Sequence, residues 1–251
     1  SNHRALGGVS VMKKYFLYIL ILSLYGCVSL EINKTIDTSS SKSTKIDISD
    51  KVKLPNDIRW VTNSNEYKIL CEQTYKNAWN NMSEELKKAS SQSAIIMDLD
   101  ETVLDNSDYQ VGLTEKNESY NPESWSVWVN LEEAKLVPGA KAFIDSVRTT
   151  KTKLIFLSNR MAKNELPTKN NMIKLGIYED DDIFLLRIDK PDKKHVRRAE
   201  VLNGTGRFVD IGAMKVLGYF GDARHDFPDP DQYYSFGQNM YMFPNPMYGK
   251  W

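Results

Sequence analysis

Cysteine and histidine are scarce in this sequence, which has two cysteines and three histidines in 251 residues. They do not cluster with the spacing of a zinc site. Cys71 is followed six positions later by Asn77 and not by arginine, so a cysteine-based phosphate-binding loop is excluded. If Cys27 is acylated, as the residues before it suggest, Cys71 has no intramolecular partner and no disulfide framework is available.

Net charge and long hydrophobic runs are also lacking. Lys and Arg together number 33, as do Asp and Glu, so no strong field favours nucleic acid or an anionic membrane. We therefore expect no nucleic-acid polymer as a partner. The extended apolar run near the N-terminus is too short for a comfortable membrane span. The length fits one sizeable domain or a domain with a cap.

The N-terminal segment has the pattern of a secretory signal. Residues 12–27, MKKYFLYILILSLYGC, place two lysines before an apolar run that ends in Gly-Cys,. The last four residues resemble a bacterial lipobox, in which the cysteine is diacylated, although Tyr25 is bulkier than the usual residue there. We expect residues 1–27 to be a pre-sequence and lipoprotein signal with the lipid on Cys27. The alternative is an ordinary secretory signal with a chance cysteine.

The next segment separates this signal from the folded domain. Residues 28–57 are mostly Ser, Thr, Lys and Asp with little apolar pattern, which predicts a flexible tether,. The folded domain should then span residues 58–251. It should begin with a long amphipathic helix of about seven turns, because apolar residues follow helical spacing from Tyr67 onwards. Asn63 and Glu66 are placed to form a capping box at its start.

After this helix the hydrophobic pattern changes to short continuous runs. Such runs, separated by helix-compatible stretches, predict strands buried on both faces of a parallel sheet. The alternation predicts an α/β fold: a doubly wound, Rossmann-like, mostly parallel sheet flanked by helices, with a small, largely helical cap or extension. The predicted strands are residues 94–99, 153–158, 183–187 and 216–222, and the helix-compatible stretches are 139–150, 166–176 and 193–203.

Polar and acidic side chains stand where three of these strands end. Asp98 and Asp100 close the first run, Asp222 closes the last, and Ser158 and Asn159 close the second. Ligands of doubly wound folds bind at the carboxyl ends of the strands. Clustered carboxylates repel one another unless a cation lies between them, and Mg²⁺ prefers oxygen ligands. The pattern therefore predicts a magnesium site; a solvated acidic turn after a strand is the alternative.

These residues also carry a family resemblance. The stretches DLDET, LSN and GDARHD resemble the first, second and fourth motifs of the haloacid dehalogenase superfamily. The match becomes closer in EYKILCEQTY, DLDETVLDNSDY, PGAKAF, LSNR and PNPMYGKW, which resemble the bacterial class C acid phosphatases. Those proteins are lipoprotein nucleotidases of the outer membrane or cell surface. The resemblance extends over residues 58–251.

The resemblance implies a reaction and assigns roles. Asp98 would be the nucleophile that forms an aspartyl-phosphate. Asp100 would protonate the leaving oxygen and then deprotonate the hydrolytic water. Ser158 and the Asn159 amide would bind the phosphoryl oxygens. Dehalogenases and P-type ATPases of the superfamily lack the second aspartate, so Asp100 favours phosphomonoester hydrolysis.

The resemblance also implies how Mg²⁺ would be held. The ligands would be the Asp98 carboxylate, the Asp100 backbone carbonyl and Asp222, with Asp226 reaching the ion through water. Relatives often carry Asn after the aspartate of the fourth motif, whereas Ala-Arg-His intervenes here. Asp226 is retained, so the metal site should persist with altered surroundings.

The family needs a lysine on the phosphate and the nucleophile, and the sequence offers two. Counting forward from Asp189 selects Lys193. Counting back from the Arg-Arg-Ala-Glu helix selects Lys194, and a helix register is harder to shift than a loop. We therefore favour Lys194 and expect the other lysine to be solvated.

Substrate specificity is less clear from the sequence. Tyr109, Trp125, Trp128 and Tyr248 resemble the family's aromatic pocket, where they would stack on a nucleobase or an aryl leaving group. Core packing is the alternative for each of them.

The sequence as a whole indicates a Mg²⁺-dependent acid phosphatase acting on small phosphomonoesters, with 5′-nucleotides and aryl phosphates as expected substrates. A lipid anchor would hold it in the bacterial cell envelope, as an outer-membrane lipoprotein or at the periplasmic or cell surface. The resemblance also implies that the chain can pair as a homodimer. Two alternatives remain: a phosphatase for sugar phosphates, and a non-catalytic surface lipoprotein that serves as an adhesin or scaffold.

Overall fold

The computed structural model describes residues 53–249. The expected signal, the lipidated Cys27 and most of the tether therefore lie outside the described residues. Within 53–249, none of the helices combines the length and the apolar character needed to cross a membrane.

Strands of the described chain form one five-stranded sheet and one small two-stranded sheet. The larger sheet is parallel throughout, in the order β5-β4-β1-β6-β7, and β2 pairs with β3 in the small antiparallel sheet. The strands are β1 (Ser93–Met97), β2 (Leu104–Asp105), β3 (Lys135–Leu136), β4 (Lys153–Met161), β5 (Ile183–Arg187), β6 (Lys215–Gly221) and β7 (Met240–Met242).

Seven α-helices surround the sheet in the described part of the chain. They are α1 (Asn56–Asn63), α2 (Asn65–Lys87), α3 (Ser107–Glu115), α4 (Pro122–Leu131), α5 (Ala140–Arg148), α6 (Glu165–Lys174) and α7 (Lys194–Asn203). The predicted α/β fold with a mostly parallel sheet is confirmed. The edge strand β7 and the two-stranded β2–β3 sheet were not predicted, because runs of two or three residues carry too little pattern.

The start of the long helix α2 differs from the prediction. Asn63 is the last residue of the preceding helix α1, so it cannot cap α2. Ser64 takes that position instead, and its hydroxyl accepts a hydrogen bond from the backbone N–H of Tyr67 at 3.1 Å. The capping box of Asn63 and Glu66 was therefore wrong, because a short helix immediately upstream was not foreseen.

Both faces of the sheet are covered, as the continuous apolar runs predict. Side chains along β1 alternate between the two layers: Ile95 and Met97 belong to the core on the side of α2 and α5, and Ala94 and Ile96 to the core on the side of α7. All residues of β1 are buried. Hydrophobic burial on two faces fixes the register of the strand, and so fixes which residues emerge at its carboxyl end.

A largely helical extension lies between β1 and α5 in the sequence. It comprises the two-stranded β2–β3 sheet and the helices α3 and α4 between its strands; α4 packs against α6 and α3 packs against α1. These helices lie next to the segment that follows β1. The extension therefore supplies side chains to the residues beyond the end of that strand.

Candidate active site

Two aspartates come together because their strands are neighbours. Asp98 follows β1 and Asp222 follows β6, and these strands pair in parallel up to Met97 and Phe220. The Asp98 N–H donates to the Phe220 carbonyl at 2.9 Å, which extends the pairing by one residue. Asp226 joins them from a short 3₁₀ turn. Carboxylate oxygens of these three residues lie within 4.8 Å of one another.

Lys194 supplies a positive charge to this group. It is the first residue of α7, and its Nζ lies 2.6 Å from Asp98 Oδ1 and 2.5 Å from Asp226 Oδ1. The lysine is buried, whereas the neighbouring Lys193 is exposed and precedes the helix as its N-cap. The structure thus brings Lys194 to the three carboxylates and leaves Lys193 in solvent.

The charges of this group are only partly balanced. Burial raises the pKa of Asp98 well above its usual range, Lys194 opposes this rise, and the other carboxylates add to it. Burial and the adjacent Asp226 raise the pKa of Asp222 to about 6. Burial alone would lower the pKa of Lys194, but Asp98 and Asp226 outweigh it and raise that pKa. Three carboxylates around one ammonium form an all-oxygen donor set with residual negative charge, which fits a hard divalent cation.

Asp100 lies apart from these three carboxylates. Its Oδ1 accepts hydrogen bonds from Arg160 Nε at 2.9 Å and from Asn106 Nδ2 at 3.0 Å. Its Oδ2 lies 3.3 Å from the Ser158 hydroxyl, which donates to it. The carboxylate of Asp100 is therefore held by these three groups and is not a member of the cluster formed by Asp98, Asp222 and Asp226.

Ser158 and Asn159 lie inside β4, where the pairing with β5 is interrupted after Ser158. Ser158 is buried and Asn159 is exposed. The buried Arg197 of α7 holds both residues: it donates to the Ser158 carbonyl at 2.5 Å and to Asn159 Oδ1 at 2.8 Å. Asn159 Nδ2 also lies 3.3 Å from Nε2 of His225. This places the side chain of Asn159 beside the segment that carries Asp226.

Comparison with known proteins identifies the family. The sequence model described as "HAD superfamily, subfamily IIIB (Acid phosphatase)" matches residues 19–251. The chain belongs to this family.

Solved structures agree with that assignment. The chain is 28% identical to the class C acid phosphatase from Bacillus anthracis with tungstate bound, with a TM-score of 0.64 over 77% of this chain and 84% of that one. A second structure of the class C acid phosphatase from Bacillus anthracis gives 29% identity and a TM-score of 0.63 over the same shares of the two chains. The acid phosphatase is therefore a phosphomonoesterase, and the resemblance found in the sequence is confirmed.

The four aromatic residues predicted to stack on substrate differ in exposure. Trp128 and Tyr109 are 9% and 7% exposed. The Trp128 indole donates to Asn106 Oδ1 at 2.9 Å, and the Tyr109 hydroxyl bonds the Ser124 hydroxyl. Both rings therefore offer little surface to a ligand. Trp125 is partly exposed and Tyr248 is 36% exposed, so these two keep accessible ring surface.

Several residues that support the site were not identified from the sequence. Asn245 Nδ2 donates to Asp222 Oδ2 at 2.7 Å, and it counteracts the rise in the pKa of that aspartate. Arg160 and Asn106 hold Asp100. Arg160 lies in the LSNR stretch, two residues after the end of the predicted strand 153–158. A charged residue so close to a buried strand could have indicated a buried ion pair. Asn106 and Asn245 lie in DLDETVLDNSDY and PNPMYGKW, two stretches that carried the resemblance, but nothing in the sequence assigned these contacts to them.

Proposed function

We propose that this acid phosphatase hydrolyses 5′-nucleotides and aryl phosphates, depends on Mg²⁺ and forms an aspartyl-phosphate on Asp98. The observation that carries the proposal is the buried Lys194, whose Nζ lies between Asp98 and Asp226 while Asp222 lies alongside. An ammonium at the nucleophile suits an anionic substrate, and the remaining negative charge suits a divalent cation.

The first half-reaction transfers the phosphoryl group to the protein. A carboxylate oxygen of Asp98 forms a bond to phosphorus while the bond from phosphorus to the leaving oxygen breaks. Asp100 gives its proton to that oxygen, so the product leaves as an alcohol or phenol. Asp100 is then an anion and Asp98 carries the phosphoryl group.

The second half-reaction returns both residues to their starting state. Asp100 removes a proton from water, and the water oxygen forms a bond to phosphorus as the bond to Asp98 breaks. Inorganic phosphate leaves, Asp98 is a free carboxylate, and Asp100 is again protonated. The same oxygen of Asp100 serves both steps if its carboxylate keeps one orientation.

Fixed donors stabilise the charge that develops on the phosphoryl oxygens. The ammonium of Lys194, which lies 2.6 Å from Asp98 Oδ1, would donate to them, as would the Ser158 hydroxyl and the Asn159 amide,. Asp98, Asp222, Asp226 and the backbone carbonyl of Asp100 would hold Mg²⁺. When bound, the ion neutralises negative charge on the phosphoryl group and orients it.

A panel of phosphomonoesters assayed with and without Mg²⁺ tests this function. We expect nucleoside monophosphates and nitrophenyl phosphate to turn over in Mg²⁺ and to lose turnover after chelation. Preferential turnover of sugar phosphates would support the alternative metabolite phosphatase. Failure to hydrolyse any ester, in a folded protein, would contradict the catalytic proposal and favour the adhesin or scaffold.

Trp125 and Tyr248 are the aromatic residues that support the choice of substrate. Their rings remain partly exposed, so a base or an aryl group has surface to stack on,. Changing Trp125 to Leu should raise KM for aryl and nucleotide esters more than for a small alkyl phosphate. An equal change in KM for all three esters would contradict a stacking role.

We also propose that the enzyme is anchored to the bacterial cell envelope by a lipid on Cys27. The support is the signal and lipobox pattern of residues 12–27, with the following tether separating the anchor from the catalytic residues. Cys27→Ser should release the protein from membranes at unchanged specific activity. Partition of the wild-type protein into the aqueous phase of a detergent extraction would contradict the anchor. Pairing as a homodimer, which the family resemblance supports, can be measured by light scattering.

A further inference from the structure

Arg160 is a buried cation for which the proposed reaction has no role so far. It lies in β4, two residues after Ser158, and its side chain is 1% exposed. Its Nε donates to Asp100 Oδ1 at 2.9 Å, its Nη1 to the Thr168 hydroxyl at 3.1 Å, and its Nη2 to Asn106 Oδ1 at 3.2 Å. Each guanidinium nitrogen thus has an acceptor within the protein. A ligand would have to displace one of these acceptors before it could bind Arg160.

Asn106 is the second group on the same carboxylate oxygen. It is fully buried, and its Nδ2 lies 3.0 Å from Asp100 Oδ1. Its backbone N–H donates to Glu101 Oε1 at 2.8 Å, and its Oδ1 accepts from the indole of Trp128 at 2.9 Å. Its Nδ2 also donates to Glu101 Oε1 at 3.1 Å, so turning the amide away from Asp100 would break this bond and the bond from Trp128.

The two oxygens of Asp100 consequently differ. Oδ1 has two donors, one of them a guanidinium, and charge-assisted bonds of this kind are short and directional,. Oδ2 has only the longer contact to the Ser158 hydroxyl among the described residues, at 3.3 Å. Oδ2 therefore keeps more free hydrogen-bonding capacity than Oδ1, and its partner is Ser158, one of the residues expected to bind the phosphoryl group.

We propose that Arg160, assisted by Asn106, is a positioning residue for the acid/base catalyst: it fixes Asp100 through Oδ1 and presents Oδ2 to the leaving oxygen and to the hydrolytic water. This inference rests on the proposed function of Asp100. A carboxylate that rotates freely offers either oxygen at changing distances, and misplacement of a catalytic group by about 1 Å can cost on the order of 100-fold in rate. The guanidinium holds one rotamer through both half-reactions.

The leaving group provides a readout that a merely structural role would not change. Protonation matters most when the leaving oxygen is strongly basic, as in an alkyl ester, and least for nitrophenol. Arg160→Met should lower kcat by about 100-fold for a nucleoside 5′-monophosphate and by less than about tenfold for nitrophenyl phosphate. KM and inhibition by inorganic phosphate should stay near wild type, because each guanidinium nitrogen of Arg160 already has an acceptor within the protein. Arg160→Lys should recover part of the loss.

A matched control separates this effect from general destabilisation. Arg148, the last residue of α5, is another largely buried arginine. Its Nη2 lies 2.9 Å from Asp182 Oδ2, away from the catalytic residues. Arg148→Met should leave the ratio of the two substrates unchanged. If Arg160→Met does not fold, Thr168→Val removes the acceptor of Arg160 Nη1 and the hydroxyl bond to the Asn164 carbonyl, and leaves the bonds to Asp100 in place. It should give a smaller loss, of a few fold, with the same dependence on leaving group.

The outcomes distinguish the inference from the function on which it rests. Equal losses for both esters in the folded Arg160 or Thr168 variants, together with a leaving-group-dependent loss in Asp100→Asn, would overturn only the positioning role. Equal losses in Asp100→Asn itself would overturn the acid/base role of Asp100. A weaker inhibition by phosphate in Arg160→Met, without dependence on leaving group, would assign Arg160 to phosphate binding and overturn the inference.

Discussion

The two sides of the active site hold their carboxylates in opposite ways. On one side the ammonium of Lys194 pairs with Asp98 and Asp226 while Asp222 lies beside them, and burial raises the pKa of Asp98 and Asp222. On the other side Asp100 has a guanidinium and an amide on one oxygen. The first arrangement leaves negative charge for a cation and a phosphoryl group. The second arrangement pairs the charge of Asp100 with a guanidinium, and so fixes this side chain in one orientation.

This difference indicates that charge and geometry are handled by separate parts of the site. Groups that bind ligand must remain incompletely paired until the ligand arrives, because a saturated group has nothing to offer it. A group that transfers a proton must be placed accurately in every step. Substitutions on the two sides should therefore differ in kind. Those around Lys194 should weaken ligand binding and change stability, whereas those around Asp100 should lower the rate by an amount that depends on the leaving group.

The largest effect is expected from removing the nucleophile. Asp98→Asn should reduce turnover to background for every ester, including nitrophenyl phosphate, because no other described carboxylate occupies its position between β1 and α7. The circular dichroism spectrum should stay native, since the amide is close in shape to the carboxylate. Substantial turnover by a folded Asp98→Asn protein would contradict the aspartyl-phosphate mechanism.

The next largest effect should come from the lysine of the same side. Lys194→Ala should lower kcat/KM by about 100-fold or more, by analogy with the loss of one preorganised donor to a developing oxyanion. Lys193→Ala is the matched control, because Lys193 is adjacent in sequence but exposed. It should remain within a few fold of wild type. The reverse order of the two variants would show that the site uses the other register.

The unbalanced carboxylates predict a pH-dependent stabilisation by Mg²⁺. Asp222 has a folded pKa of about 6, above its ordinary value of 3.8. Because the folded state favours the protonated form, the metal-free protein should lose stability as pH rises from about 4 to about 6. Mg²⁺ binds the ionised form and should raise the Tm more at pH 7 than at pH 4.5.

Asp222→Asn is the control for that measurement. Without the charge at this position, the metal-free variant should be more stable than the metal-free wild type at pH 7, by roughly 1–3 kcal/mol, since one pKa unit corresponds to about 1.4 kcal/mol. It should also lose most of the stabilisation by Mg²⁺. Thermal scans in chelator and in Mg²⁺ measure both effects, and an equal Mg²⁺ effect at the two pH values would contradict the argument.

The smallest effect should come from the outer part of the Asp100 side. Trp128→Phe removes the indole N–H that donates to Asn106 and leaves a buried acceptor with one partner fewer. We expect a loss of about 1 kcal/mol in the free energy of unfolding, and a decrease in kcat of a few fold that is larger for alkyl than for nitrophenyl esters. Urea unfolding and steady-state kinetics measure the two. A rise in KM with unchanged stability would instead place Trp128 in contact with substrate.

Much of the first side could be predicted from the sequence for a definite reason. Asp98, Asp222 and Ser158 each follow a continuous apolar run, and parallel strands place their carboxyl ends at one edge of the sheet. The position of Lys194 followed from helical geometry, since neighbouring residues of a helix point about 100° apart. The roles of these residues in catalysis remain predictions.

The second side could not be predicted, because its contacts join elements that are distant in sequence. Asn106 meets Trp128 across 22 positions and Arg160 across 54. Nothing in the local pattern indicates that a buried asparagine will lie between them. The same holds for Tyr109 and Trp128, whose aromatic character suggested stacking on substrate but whose rings are nearly covered by neighbours.

The sequence by itself determined which residues follow the buried strands: three of the four predicted apolar runs end in a carboxylate or a hydroxyl. Periodicity is a local property, and burial on two faces converts it into a fixed register. Only the tertiary structure decided which cation pairs with which carboxylate, and which oxygen of Asp100 remains accessible. Those choices depend on whether donors and acceptors from different elements come within hydrogen-bonding distance and angle of one another, which a local sequence pattern does not specify.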